Sequence, residues 1–134
     1  MDPIRVYAVI ILVALPTVMF GGYSLLRLLG RARLSAFQLT YFRAGHAHAG
    51  VLLVLALAYL GFLARTDFGT GLRWLAGAIL AVGIIAQSGG LFLHMGTGES
   101  GRWSAGNSVT VIGAGLLAVS TLLLAYGVAT STQL

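Results

Sequence analysis

Residues 44–64 read AGHAHAGVLLVLALAYLGFLA, a stretch without a single Asp, Glu, Lys or Arg. A helix needs about 20 mostly apolar residues to cross the roughly 30 Å hydrocarbon core of a bilayer. Three further stretches meet this requirement, at about 4–29, 72–95 and 105–129. The connections after the second and third stretches are short, which makes neighbouring helices antiparallel. We therefore expect one domain over residues 1–134, an all-α antiparallel bundle of four transmembrane helices.

The composition of the whole chain supports an integral membrane protein. Of 134 residues, 58% are apolar and 8% are charged, whereas soluble domains carry about 25% charged residues. Because the chain has no Cys, disulfides, thiolate metal sites, iron–sulfur clusters and covalent c-type haem attachment are excluded. The net charge of +5 comes from arginines scattered between apolar runs, so the sequence does not indicate a nucleic-acid-binding surface.

The arginines also predict an orientation in the membrane. Five of them fall on one side, namely Arg27, Arg31, Arg33, Arg43 and Arg102, and three fall on the other, namely Arg5, Arg65 and Arg73. By the positive-inside rule we expect the first side to face the cytoplasm of a bacterial inner membrane, with both termini outside. The segment 30–43 alternates apolar and polar residues, which is typical of a short helix lying in the interface plane.

Polar residues within the spans collect at one end of the predicted bundle. His46 and His48 open the second span, and His94 closes the third. In an antiparallel pair these positions lie at the same depth, on the arginine-rich side, while the opposite half is nearly bare of polar groups. Polar side chains in hydrocarbon are costly unless they are paired or functional, so this end is the candidate functional site.

Helical spacing limits which histidines can meet. Gln87, Gly90 and His94 follow one another at spacings that place them on one face of the third helix. His46 and His48 lie about 200° apart around a regular helix, so only one of them can face His94 unless the helix unwinds there or starts after them. We expect His46 to be the first partner of His94 and His48 the second.

Two imidazoles from different helices are typical axial ligands of a b-type haem. Gly50 and Gly90 each lie four residues from a candidate ligand and leave room for the face of a porphyrin. Arg43 and Arg102 lie at the end where they can pair with two propionates. Such a protein would carry electrons, to or from a membrane quinone. The candidate cofactor-binding residues are His46, His48, His94, Gly50, Gly90, Gln87, Arg43 and Arg102.

Two other interpretations stay open. Three imidazoles with an open coordination position also suit a single transition-metal ion, which His46, His48 and His94 would hold together. Alternatively, the protein is a non-enzymatic transport or accessory subunit of a membrane complex, and its histidines form a pH-sensitive gate without a cofactor. Glycines on several helix faces favour close helix packing and are compatible with a homo-oligomer or a larger membrane complex.

The segment FRAGHAHAG at 42–50 resembles the H-x-H helix opening of small four-helix bacterial membrane proteins of uncharacterised function. It is also similar to a stretch of the haem–copper oxidase catalytic subunit. The resemblance covers at most a third of the chain. It implies a helical membrane fold and ligation of haem or a metal by His46, His48 and His94. The oxidase has many more helices and histidines, so oxygen reduction is not implied.

Overall fold

The computed structural model describes residues 1–30 and 34–132, and this part of the chain forms four α-helices and no β-strand. Each helix is long and apolar enough to span a membrane. The predicted antiparallel four-helix fold of a multi-pass membrane protein is confirmed. The helices are α1 (Pro3–Leu29), α2 (Ala36–Leu63), α3 (Thr70–Thr97) and α4 (Ala105–Thr130).

Helix α2 begins at Ala36 rather than near Ala44. Ser35 Oγ accepts a hydrogen bond from the Gln38 backbone N–H at 3.2 Å, and Gln38 Oε1 accepts one from the Ser35 N–H at 3.0 Å. This reciprocal cap starts the helix early. Residues 36–43, which we expected in a separate interfacial helix, are therefore the first two turns of α2. Arg31 and Arg33 of the same expected segment lie outside the described residues.

Helix α3 packs against the other three helices, and its contact with α4 is the most extensive. Glycines allow the two backbones to touch. A Cβ at Gly113 would collide with the backbone of Gln87, and a Cβ at Gly106 would collide with the backbone of His94. Small residues permit this close approach in membranes, where van der Waals packing drives helix association. The α3–α4 hairpin is therefore the tightest part of the fold.

A buried polar cluster lies in the half of the bundle away from the histidines. Tyr59 donates its hydroxyl hydrogen to the Ser120 carbonyl at 3.1 Å. The Ser120 hydroxyl is 2.9 Å from the Tyr59 hydroxyl and 3.2 Å from the Ala76 carbonyl. This cluster links α2, α3 and α4 inside the apolar core. The half that we expected to be nearly bare of polar groups thus contains a satisfied polar network.

The loop between α2 and α3 holds the end of α4. Asp67 accepts hydrogen bonds from the backbone N–H of Thr132 at 2.9 Å and from its hydroxyl at 3.1 Å. The backbone bond is the main cause that lowers the pKa of the Asp67 carboxyl, and the positive charge of Arg73 adds to it. Arg73 also donates to the Thr66 carbonyl at 2.7 Å. These contacts close the end of the bundle opposite the histidines.

Candidate functional site

His94 lies near the end of α3 and is enclosed by protein, with 2% of its surface exposed. Its Nδ1 is 2.6 Å from Ser104 Oγ. Ser104 caps α4, because its hydroxyl accepts from the Gly106 N–H at 3.1 Å and its own N–H donates to Asn107 Oδ1 at 2.9 Å. Whether the proton lies on Ser104 or on the imidazole, Nδ1 is satisfied within the protein. His94 therefore ties the end of α3 to the start of α4.

Aromatic rings from α2 cover the rest of the His94 imidazole. The ring of Tyr41 meets it edge-on at a centroid distance of 4.3 Å, and that of Phe37 does so at 5.3 Å. Gly98 and Gly106 press against His94 from the connection to α4 and from α4 itself, since a Cβ at either position would collide with it. His94 is consequently packed between three elements, with no open face for a porphyrin.

His46 lies on the side of α2 that contacts α1. Its ring stands over the two glycines of α1, with Nε2 3.0 Å from the position that a Cβ at Gly22 would occupy and Nδ1 3.5 Å from that at Gly21. The ring of Phe42 stacks against it at 6.3 Å. The glycine pair makes room for the imidazole between the two helices. His46 therefore faces away from His94, which is held by α3, α4 and the other side of α2.

His48 is exposed on the outer surface of α2. Its Nδ1 is 2.8 Å from the Ala44 carbonyl oxygen, one turn earlier in the helix. Because a carbonyl only accepts, Nδ1 carries a proton, so in the neutral imidazole Nε2 is the acceptor. Among the described residues, Nε2 has no hydrogen-bond partner. His48 thus presents an unpaired acceptor at a surface that is otherwise apolar.

The structure does not bring the three histidines together. Within the described residues, no group of three His, Asp or Glu side chains lies close enough to hold a metal ion. The reason is geometric. Helix α2 is regular through this region, so His46 and His48 point to opposite sides of it. The unwinding that would have allowed both to face His94 is not present.

The small and polar residues predicted beside the ligands lie at helix crossings. Gly50 faces Val18 of α1, and Gly90 faces Thr110 of α4. The backbone of Gln87 lies where Gly113 of α4 crosses. These three positions lie between helices, where neighbouring chain segments fill the space that a porphyrin would need. Their spacing therefore reflects helix packing.

The two predicted propionate partners are both exposed, but their surroundings differ. Arg43 precedes His48 by five residues and lies about 140° from it around α2. Arg102 lies in the connection between α3 and α4, where it forms an ion pair with Glu99 at 2.7 Å. The connection that carries Arg102 reaches the outer surface of α2. The Arg102 side chain itself lines a depression of that connection, together with Glu99 and Trp103.

Two depressions follow one another along this outer surface of α2. The first, of about 210 Å³, is apolar and is lined by Ala47, His48, Val51 and Leu52. The second, of about 310 Å³, has polar groups in its lining and is formed by Ala36, Phe37, Thr40, Tyr41, Ser100 and Gly101. Thr40 precedes His48 by eight residues, so the polar depression lies about 12 Å nearer the helix start.

Sequence reasoning missed the polar depression because residues 36–43 were assigned to a separate interfacial helix. The Ser35–Gln38 capping pattern was the signal that could have extended α2 to Ala36 and placed Thr40 on the same helix as His48. Comparison with known proteins assigns no family to this chain. No protein-family model matches this chain, and no curated protein or solved structure is significantly similar to it.

Proposed function

We propose that this protein binds haem b through His48 and carries electrons in the membrane. The observation that carries the proposal is the state of the His48 ring, whose Nδ1–H is held by the Ala44 carbonyl at 2.8 Å while Nε2 stays unpaired. Histidine ligands in metal sites commonly donate their other ring N–H in this way, which fixes the tautomer and the ring orientation. This arrangement supports His48 as the proposed ligand, with Nε2 directed to the iron.

The donor set favours haem over a bare metal ion. A protein-bound zinc or copper ion needs three or four protein ligands. The surface of α2 offers one imidazole, and the described residues contain no cluster of three His, Asp or Glu. A porphyrin brings four nitrogens of its own, so the protein has to supply only axial ligands. One exposed imidazole per chain fits that requirement.

The polarity of the outer surface of α2 also fits a haem. The depression at His48 is lined by apolar side chains, which suit the body of the porphyrin. The depression nearer the helix start contains the hydroxyl-bearing residues Thr40, Tyr41 and Ser100, which suit the propionate edge. Arg102 directly follows the loop residues of this depression, and guanidinium groups pair well with carboxylates.

Bound haem would supply one-electron redox chemistry, and the residues of this chain would set its position. His48 would fix the iron at a depth one turn inside the apolar part of α2, while Arg102 would hold the propionates at the membrane surface. An iron at this depth can exchange electrons with a redox partner that stays in the bilayer. A membrane quinone is such a partner.

The test is the optical spectrum of the protein purified after expression with sufficient haem. We expect a Soret band and redox-sensitive α and β bands, all of which His48→Ala removes. His46→Ala is the matched control, since it deletes the same side chain two residues away on the face toward α1, and it should keep the spectrum.

A Soret band that survives in His48→Ala would overturn the assignment of the ligand. A sample that stays colourless despite haem supply would overturn the proposed function and favour the transport or accessory subunit without a cofactor. Elemental analysis of the same sample would detect the third case, a bound metal ion without a porphyrin.

We further propose that the histidine-bearing end faces the cytoplasm of a bacterial inner membrane, with both termini outside. The arginine distribution along the sequence supports this orientation. Because the chain has no Cys, single substitutions give clean reporters. Ser100→Cys should react with an impermeant thiol reagent only in inverted vesicles, whereas Thr70→Cys should react in intact cells. The opposite pattern would reverse the orientation.

A further inference from the structure

We infer that two copies of this chain share one haem, with His48 of each copy as an axial ligand on opposite faces of the porphyrin. This inference rests on the proposed function and adds the partner and the ligand set. The number of exposed donors points to two copies. Each chain has one exposed imidazole, that of His48, whereas a six-coordinate haem iron takes two axial ligands.

Leaving His48 exposed to lipid is energetically costly. An acceptor that faces lipid has no water to bond to, and ionisable side chains in membrane spans almost always face protein or water-filled space. The other helices of the same chain leave this side of α2 exposed, from His48 and Val51 to Leu55 and Phe62. A second copy covers this surface and gives Nε2 a partner through the shared iron.

The symmetry of a haem matches that of a dimer. Two copies inserted in the same direction are related by a two-fold axis along the membrane normal. A haem has an approximate two-fold axis in its own plane, which passes through the iron and between the two propionates. With the propionates toward the membrane surface, this axis coincides with the axis of the dimer. Rotation by 180° about this axis then exchanges the two faces of the porphyrin. It also exchanges the two His48 side chains and the two Arg102 side chains.

The surface of α2 beyond the haem suits a direct contact between the two copies. A porphyrin keeps the two α2 helices apart at His48, so they must converge elsewhere to make a stable contact. Near the end of α2 the outer surface carries small side chains, and Ala58, Gly61, Phe62 and Arg65 line a further depression. A Cβ added at Gly61 would meet no neighbouring atom within 4 Å, and Phe62 is 49% exposed. Phe62 of one copy can therefore enter the depression of the other.

The absence of cysteine makes the contact directly testable. Ala58→Cys should form a disulfide-linked dimer in membranes on mild oxidation, because the two copies of this position lie near the two-fold axis. Val119→Cys is the matched control. Val119 is 55% exposed on α4 and adjoins Ser120, which bonds Tyr59 beside Ala58, so its depth is the same. The control should stay monomeric under the same oxidation.

Haem content and ligation test the shared site itself. We expect one haem per two chains and a six-coordinate, low-spin spectrum that resists carbon monoxide. Dimers isolated with one native chain and one His48→Ala chain should keep the haem, lose one axial ligand and bind carbon monoxide readily.

A Soret band with one haem per chain, and no cross-link at Ala58→Cys, would overturn the shared site while the proposed function stands. A mixed dimer whose spectrum equals that of the native dimer would overturn it as well. The complete lack of a Soret band would overturn both proposals, and the cross-linking result would then report on the helix contact alone.

Discussion

His94 and His48 lie toward the same end of the bundle, but their surroundings are opposite. The imidazole of His94 is enclosed between α2, α3 and the start of α4, and its Nδ1 is taken by Ser104. The imidazole of His48 lies on the outer surface of α2, with Nε2 unpaired. We call these two regions the inner cluster (His94, Ser104, Tyr41, Phe37) and the outer face (His48, Ala47, Val51, Leu52).

The difference shows that the fold encloses one histidine completely and leaves the other exposed at the surface of the bundle. In the inner cluster every group around His94 uses the ring, as a hydrogen-bond partner or as a packing surface. On the outer face, Nδ1 of His48 is bonded to the Ala44 carbonyl of α2, and Nε2 has no hydrogen-bond partner among the described residues. A histidine in a membrane span is therefore best judged by which of its two nitrogens the protein already occupies. The predictions below separate the two regions.

The largest expected effect comes from breaking the helix contact on which the inner cluster is built. Gly113→Leu places a side chain against the backbone of Gln87, which cannot move aside without separating α3 from α4. We expect a loss of about 3 kcal/mol or more in the free energy of unfolding. Gly115→Leu is the control, because a Cβ there meets open space. Unfolding by denaturant in detergent measures both, and equal stabilities would contradict the close contact.

The second prediction compares how much the two histidines contribute to the free energy of unfolding. In haem-free protein, His94→Ala should lower the free energy of unfolding by about 3 kcal/mol, since it removes the ring contacts and the hydrogen bond between His94 Nδ1 and Ser104 Oγ. His48→Ala should change stability by less than about 0.5 kcal/mol, because its ring is exposed. Thermal unfolding of both variants in the same detergent tests the comparison. A larger effect from His48→Ala would mean that the outer face is structural.

The third prediction extends the comparison to the opposite half of the bundle. Tyr59→Phe removes a hydroxyl that bonds the carbonyl and the side chain of Ser120 within the core. We expect a loss of about 1 kcal/mol, as is usual for a hydrogen bond between membrane helices. Tyr126→Phe, at a residue 64% exposed, should have almost no effect on the same unfolding curve. Indistinguishable variants would show that the Tyr59 cluster adds no stability.

The sequence predicted the spans because length and hydropathy are local properties of the chain. It also placed the three histidines toward one end, since that follows from antiparallel connections. It did not predict which way each ring points, because one residue turns a helix by about 100° and the rotation of α2 depends on its neighbours. Gly21 and Gly22 of α1 make the room that His46 occupies, and no periodicity in α2 contains that information.

Other features of the fold depend on contacts between residues that are far apart in sequence. Tyr59 and Ser120 are 61 residues apart, and neither stands out within its own helix. The early start of α2 was readable in principle, from Ser35 followed by Gln38. It was missed because the alternation around these residues also fits a helix in the interface plane.

The smallest expected effect concerns the loop at the end away from both histidine regions. Hydrogen bonds from Thr132 lower the pKa of Asp67 in the folded protein. A carboxyl with a lowered folded pKa stabilises the fold above its unfolded pKa of about 3.9, and the contribution is lost as the pH falls through the folded value. Asp67→Asn should therefore be slightly less stable than the native chain at pH 7, with the difference closing toward pH 3.

Glu99→Gln is the control for a carboxylate in an exposed ion pair, which contributes little. A difference between native and Asp67→Asn protein that persists at low pH would show that the amide disturbs the loop itself, and that the charge is not what holds the end of α4.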